Sequence, residues 1–257
     1  METRGSGGDK YKVVVVDDET VAVEAICHII EKYCPEFEAV GTAEDGSKAL
    51  KVIQKTSPDL VMTDVEMPVM SGLDLVRQAG GMMPELCFVI ISGYEDFEYA
   101  RDAFRNGVLD YLTKPIVPSQ MRRTMGNVEE KLRKIYYDRR IGIFRKLCIG
   151  EKISLEEIQR FFPYKEFYAA LLRENGLPRR YSPAKEPELY STAEEAFWVY
   201  GRDNMEELFL IPREMLGQQT LIDYMARVEQ HQKTEGSYTT LLYYGEAFSR
   251  LEIAEKI

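Results

Sequence analysis

The sequence predicts an α/β protein: a five-stranded, doubly wound parallel sheet, then a long linker helix and a small α+β domain. Three observations carry that prediction. Between Tyr11 and Pro115, five short apolar runs alternate with segments of helical period, the pattern of repeated strand–helix–strand units. The first run, Val13–Val16, is continuous and β-branched rather than alternating, which suits a strand covered on both faces. Beyond Gly150 the order changes to a strand, a hairpin, a helix and a strand, which suits an antiparallel sheet. The expected division is a loose polar leader over residues 1–9, a first domain over 10–118, a fifth helix extended into a linker over 119–150, and a second domain over 151–257.

The elements follow in order. Val13–Val16 delivers Asp17, Asp18 and Glu19 at its end. Thr20–Tyr33 is helical, with Val23, Ile26, Ile29, Ile30 and Tyr33 near helical spacing, and Cys34-Pro35 stops it. Phe37–Gly41 is a strand, and Gly46–Gln54 a helix with Ala49, Leu50 and Ile53 inward. Leu60, Val61 and Met62 form a buried strand that ends on Asp64, and Pro68 and Gly72 then break regular structure. Leu73–Gln78 is a short helix. Leu86–Ile91 is the fourth strand, ending on Ser92-Gly93. Glu95–Asn106 is helical and Gly107 terminates it. Val108–Leu112 is the fifth strand, followed by Thr113-Lys114-Pro115.

In a parallel sheet the C-terminal strand ends share one edge, so Asp17, Asp18, Asp64, Ser92 and Lys114 converge there. Each has an ordinary structural reading taken singly. Asp17, Asp18 or Asp64 can cap a helix, Lys114 can be a solvated turn residue, and Ser92 a loop hydroxyl. Together they have a chemical logic. Carboxylates gathered at one site repel unless a hard cation sits among them, and oxygen ligands with room for water suit Mg²⁺. An ammonium and a hydroxyl add donors for a phosphoryl group.

Residues Tyr11 to Val117 resemble the receiver domain of two-component response regulators. The resemblance rests on Asp17-Asp18-Glu19, on D-x-x-M-P at Asp64 to Pro68, on Ser71-Gly72, on Ser92, and on Tyr111 with Lys114-Pro115. It implies a flavodoxin-like fold with Asp64 as phosphoacceptor. It further implies Mg²⁺ held by Asp17, Asp18, Asp64 and the backbone carbonyl of Glu66, with Lys114 paired to the phosphoryl oxygen. Ser92 and Tyr111 would be the switch pair, and Glu66 and Tyr94 would tune the lifetime of the acyl phosphate. The donor would be a separate histidine kinase, since neither His28 nor His231 has a recognisable catalytic or ligand spacing.

Composition sets bounds. A chain of 257 residues with 45% hydrophobic and 30% charged content is long enough for about two cores. A formal net charge of −10 disfavours a surface built to neutralise phosphates, so nucleic-acid binding by this chain alone is not expected. Four scattered cysteines without C-x-x-C spacing read as reduced thiols of a cytoplasmic protein, and no apolar run has membrane-span length.

After Pro118, Ser119 opens a long helix with Met121, Met125, Val128, Leu132 and Ile135 spaced alternately four and three apart, a heptad seam. That seam serves either a parallel homodimer or the packing of the fifth helix on its own sheet. Ser154–Phe162 is a short helix, Phe167–Leu172 a strand, and Glu174–Leu189 a polar loop. Ala196–Tyr200 and Leu208–Ile211 form a hairpin. Arg213–Gln230 reads as one helix, Tyr238–Tyr244 as a strand, and Glu246–Ile257 as a final helix.

The hairpin, with Gly201, Asp203, Glu206 or Glu207 and the trailing LFLIP, resembles a degenerate GGDEF hairpin of nucleotide cyclases. The first strand ends in Arg173-Glu174-Asn175, without the paired aspartates that a two-metal cyclase needs. Such modules resemble the middle segment of AraC-family response regulators. The Ser154–Gly176 stretch has Pro163 where a helix-turn-helix needs its tight turn, so DNA contact is expected only through a C-terminal module absent from these residues, and the closing LEIAEKI fits a truncation. The expectation is a phospho-accepting regulator rather than an enzyme, with at most self-catalysed phosphorylation and dephosphorylation. Its rivals are a diguanylate-cyclase-like enzyme and an interaction scaffold with a silent receiver.

Overall fold

The structure, a computed structural model, describes residues 10–93, 107–148, 151–162, 164–174, 197–200, 206–232 and 238–256. The expectations for the leader, the Glu95–Asn106 helix, Tyr94, most of the polar loop and the hairpin turn lie outside the described residues. The chain divides into two units, residues 1–135 and 136–257.

The first unit holds the parallel sheet, with strands β1 (Tyr11–Val16), β2 (Phe37–Ala43), β3 (Leu60–Asp64), β4 (Cys87–Ser92) and β5 (Asp110–Thr113) in the order β2-β1-β3-β4-β5. Every neighbouring pair is parallel. Parallel strands covered on both faces should be apolar throughout, and Val13, Val14, Val15, Leu60, Val61, Met62, Val89 and Ile90 are all fully buried. On one face, Val14, Val16, Val61, Phe88 and Ile90 pack with Ala49, Ile53, Leu75, Val76 and Ala79. The last five come from helices α2 (Gly46–Thr56) and α3 (Gly72–Met82). Helix α1 spans Thr20–Tyr33, the bounds expected from its spacing, and buries Ile26 and Ile30. Helix α3 runs past the expected Gln78 to Met82, through Gly80 and Gly81.

The long helix spans Pro118–Cys148. Met121, Met125, Val128 and Leu132 of its heptad seam are each at most 2% exposed in the single chain. A second copy could reach them only by displacing what already covers them.

The second unit contains an antiparallel sheet in which β6 (Glu166–Glu174) pairs with β8 (Glu206–Pro212), and β8 with β7 (Phe197–Tyr200), so the predicted hairpin partners do pair. On the other side of β6 lie β9 (Thr239–Tyr243) and the two-residue β10 (Phe248–Ser249). One apolar layer of this unit joins Ala170, Leu172, Phe209 and Ile211 to Leu216, Leu221 and Met225.

Two helix expectations are corrected here. Arg213–Gln230 is not one helix: a turn over Arg213–Leu216 stops at Gly217, whose φ of +56° ends the right-handed path, and a new helix covers Leu221–Gln232. Thr220 starts that helix by accepting a hydrogen bond from the Asp223 N–H at 3.2 Å. Glu246–Ile257 is not helical throughout either. Phe248 pairs with Phe167 as a strand, and a capping box between Ser249 and Glu252 then opens short helical turns over Arg250–Glu252 and Ile253–Lys256.

Candidate functional site

Strand β1 ends one residue before Asp17, and β3 ends on Asp64, with Val16 opposite Thr63 in register. The chain leaves β1 for one neighbour and reaches the other through a crossover, so the carboxyl ends of these two strands flank the crevice where an open sheet binds ligands. Asp17, Asp18 and Asp64 each place a carboxylate oxygen within 4.8 Å of the others. Asp17 is buried and Asp18 is exposed, so the cluster is rooted in protein and open to water.

Lys114 closes it. Its Nζ lies 2.7 Å from Asp17 Oδ2 and 2.9 Å from Asp64 Oδ2. The reach is set by backbone: the Lys114 N–H donates to the Ser92 carbonyl at 2.7 Å, fixing the end of β5 against the end of β4. Asp64 Oδ1 accepts the Val65 N–H at 2.7 Å, and Asp17 Oδ1 accepts the Glu19 N–H at 3.0 Å. Each carboxylate therefore presents one oxygen to the backbone and the other to the ammonium.

The electrostatics follow from this crowding. Burial pushes the Asp64 carboxyl above its ordinary pKa and the Asp17 charge adds to that, against the opposing pull of Lys114. For Lys114, burial alone would lower the pKa. Hydrogen bonds and charges from Asp17 and Asp64 outweigh it, and the ammonium is held above its usual range. Three carboxylates and one ammonium leave two negative charges, which a divalent cation would balance. All-oxygen donors, one of them exposed to solvent, suit a hard ion that keeps several waters, and these residues fit Mg²⁺ on that chemistry.

The loop after β3 shapes one wall. A cavity of about 540 Å³ is lined by Asp18, Val65, Glu66, Met67, Pro68, Ser71 and Leu73. Glu66 thus lies beside the acidic cluster, with its side chain exposed. The loop is tightly built. Val69 has a φ of +68°, an outlier for a β-branched residue, and the Met70 N–H reaches back to the Pro68 carbonyl at 2.7 Å. Gly72 is required sterically, since a Cβ there would stand 1.8 Å from the Asp64 carbonyl oxygen. Ser71 is the residue that caps α3, accepting the Asp74 N–H, so helix capping does not account for Asp64.

The remaining expected residues lie nearby. Ser92 is 2% exposed at the end of β4, next to the strand that carries Asp64. Tyr111 is half-buried and packs against the sheet's apolar cluster. Thr63 and the Val65 N–H are contributors that sequence reasoning passed over. The Thr63 hydroxyl is fully buried and donates to the Asp64 carbonyl at 2.9 Å, and a lone threonine inside an apolar strand, just before the aspartate, was its only signal.

The family model for the response regulator receiver domain matches residues 13–125. This part of the chain is a receiver domain. The chain is 37% identical over 122 residues to the transcriptional regulatory protein HptR of Staphylococcus aureus, covering 48% of this chain and 48% of that protein. It is 32% identical over 151 residues to the uncharacterised transcriptional regulatory protein YesN of Bacillus subtilis, covering 59% of this chain and 39% of that protein. The chain thus spans less than half the length of these curated relatives. Among solved structures, the receiver is similar to the REC domain of AraT, a response regulator from Geobacillus stearothermophilus, at 36% identity and a TM-score of 0.46 over 49% of this chain and 98% of that one. Its kinship is with two-component signalling proteins and transcriptional regulators. Among the described residues, no helix is long and apolar enough to cross a membrane.

Proposed function

We propose that the chain is a response regulator that accepts a phosphoryl group on Asp64 from a histidine kinase. The observation that carries this reading is Lys114. Its ammonium, fifty positions along the chain from Asp64, bridges the Asp64 and Asp17 carboxylates, with Asp18 completing the cluster. Asp17, Asp18, Asp64 and the Glu66 backbone carbonyl would hold Mg²⁺, which when bound supplies neutralising charge for an incoming phosphoryl group. In this arrangement Asp64 provides the nucleophilic oxygen and Lys114 pairs with a phosphoryl oxygen.

Ser92 and Tyr111 form the switch pair in this account. The Ser92 hydroxyl turns toward the phosphoryl group, and the half-buried Tyr111 ring moves into the space beside it. The shift in population is bounded by how differently the phosphoryl group contacts the two states. Glu66 and Tyr94 tune the lifetime of the acyl phosphate. The protein works in the cytoplasm as a homodimer, and phosphorylation tightens that association. Because Met121, Met125, Val128 and Leu132 of the heptad seam are already buried within one chain, the association uses the β5 side of the receiver or the exposed face of the long helix.

Residues 151–257 are read as a degenerate GGDEF-like module without cyclase activity, as in AraC-family regulators. The β7–β8 hairpin beside a β6 that ends in Arg173-Glu174 supports that reading. The intact protein would control transcription through a DNA-binding module outside this sequence. Incubation with acetyl phosphate and Mg²⁺ followed by intact-mass measurement tests the proposal. One phosphoryl group on the native chain and none on Asp64→Asn is expected. No addition, or equal addition to both, would instead favour a silent scaffold.

A further inference from the structure

Strand β5 is an edge strand and carries Tyr111, and its first residue, Asp110, makes two contacts that the site described above does not use. One carboxylate oxygen, Oδ1, accepts the backbone N–H of Tyr111 at 2.9 Å. The other, Oδ2, accepts the hydroxyl of Thr124 at 2.6 Å. Thr124 lies in the second turn of the long helix, between Met121 and Met125, and is 0% exposed. Its hydroxyl is thus a buried donor on an otherwise apolar face, and Asp110 is the acceptor that answers it.

We propose that Asp110 is a positioning residue that ties the backbone of Tyr111 to the long helix through Thr124. This inference rests on the reading of Tyr111 as part of the switch. The physical argument is that one rigid, planar carboxylate holds both partners, so rotation of the backbone at Tyr111 carries Oδ2 with it. The Thr124 hydroxyl must then follow or be left unsatisfied in an apolar setting, which is disfavoured. Thr124 lies between the buried Met121 and Met125, so a displacement of its hydroxyl is delivered to the part of the helix that is packed by those two side chains. Lys114 lies four residues beyond Asp110, so the same short stretch of chain carries the phosphate-pairing ammonium, the switch tyrosine and this link.

The test uses the full chain and two substitutions: Thr124→Val, which keeps the shape and removes the hydroxyl, and Thr124→Ser, which keeps the hydroxyl. Acetyl phosphate with intact mass reports on the acceptor site. Hydrogen exchange of residues 118–135, with and without beryllofluoride and Mg²⁺, reports on the helix. In the native chain and in Thr124→Ser, beryllofluoride changes that exchange by about threefold or more. In Thr124→Val the phosphoryl group is still accepted but the exchange change is lost. An equal change in Thr124→Val and the native chain overturns the link while leaving the acceptor reading standing. A native chain that gains no phosphoryl group overturns both.

Discussion

Replacing Lys114 by methionine removes the only cation placed between Asp17 and Asp64 among the described residues, and leaves the volume nearly unchanged. Asp17 has no exposed side-chain surface, Asp64 has 14% and Lys114 has 22%. Removing one partner of a buried ion pair costs about 3–5 kcal/mol. The partial exposure here places the expected loss near the lower end, about 3 kcal/mol at pH 7 without Mg²⁺, or about a 100-fold rise in the population of open receiver. The sign of the pH dependence follows from Asp64. Its pKa is already raised by burial, and without the ammonium it rises further, so acidification protonates it and relieves the repulsion. The destabilisation should therefore shrink as the pH falls, and added Mg²⁺ should also reduce it. Hydrogen exchange of the β1, β3 and β4 amides, read by mass spectrometry, follows this unit separately. Unchanged exchange in Lys114→Met, or a loss that grows on acidification, would refute the reasoning.

Other perturbations have equally definite outcomes. Gly72→Ala sets a methyl against the Asp64 carbonyl and should cost about 3 kcal/mol, seen as a lowered thermal midpoint with weakened Mg²⁺ binding. Ser71→Ala removes the cap of α3 and should cost only about 1 kcal/mol; a loss as large as that of Gly72→Ala would mean Ser71 does more than cap. Asp18→Ala should weaken Mg²⁺ binding in calorimetry with little loss of fold stability, because Asp18 is exposed whereas Asp17 is buried. In the native chain, the raised Lys114 pKa contributes stability that is fully present below its ordinary value and lost as pH climbs through the folded one, so alkaline unfolding of the receiver should steepen in that range relative to Lys114→Met.

Much of the first unit was legible because its signals are local. Continuous β-branched runs and helical spacing set the strands and α1, and the sheet's parallel topology alone carries Asp17, Asp64 and Lys114 to one edge. The unequal burial of Asp17 and Asp18, by contrast, depends on what covers the end of β1, which adjacent identical residues cannot reveal. Thr63 was hidden by its apolar neighbours. In the second unit, the helix at residues 246–257 fails where a tertiary partner decides. Phe248 is held as a strand by Phe167, eighty-one positions earlier, and helical spacing there carries no trace of that pairing. At Gly217 the positive φ breaks a pattern that periodicity alone would continue.

A crystal structure of the chain with beryllofluoride and Mg²⁺ tests the central claim most directly. The acceptor account predicts the fluoride adduct on an Asp64 oxygen, Mg²⁺ held by Asp17, Asp18, Asp64 and the Glu66 carbonyl, and the Lys114 ammonium against a fluorine. An adduct elsewhere, or an Asp64 left bare at saturating beryllofluoride, would contradict it.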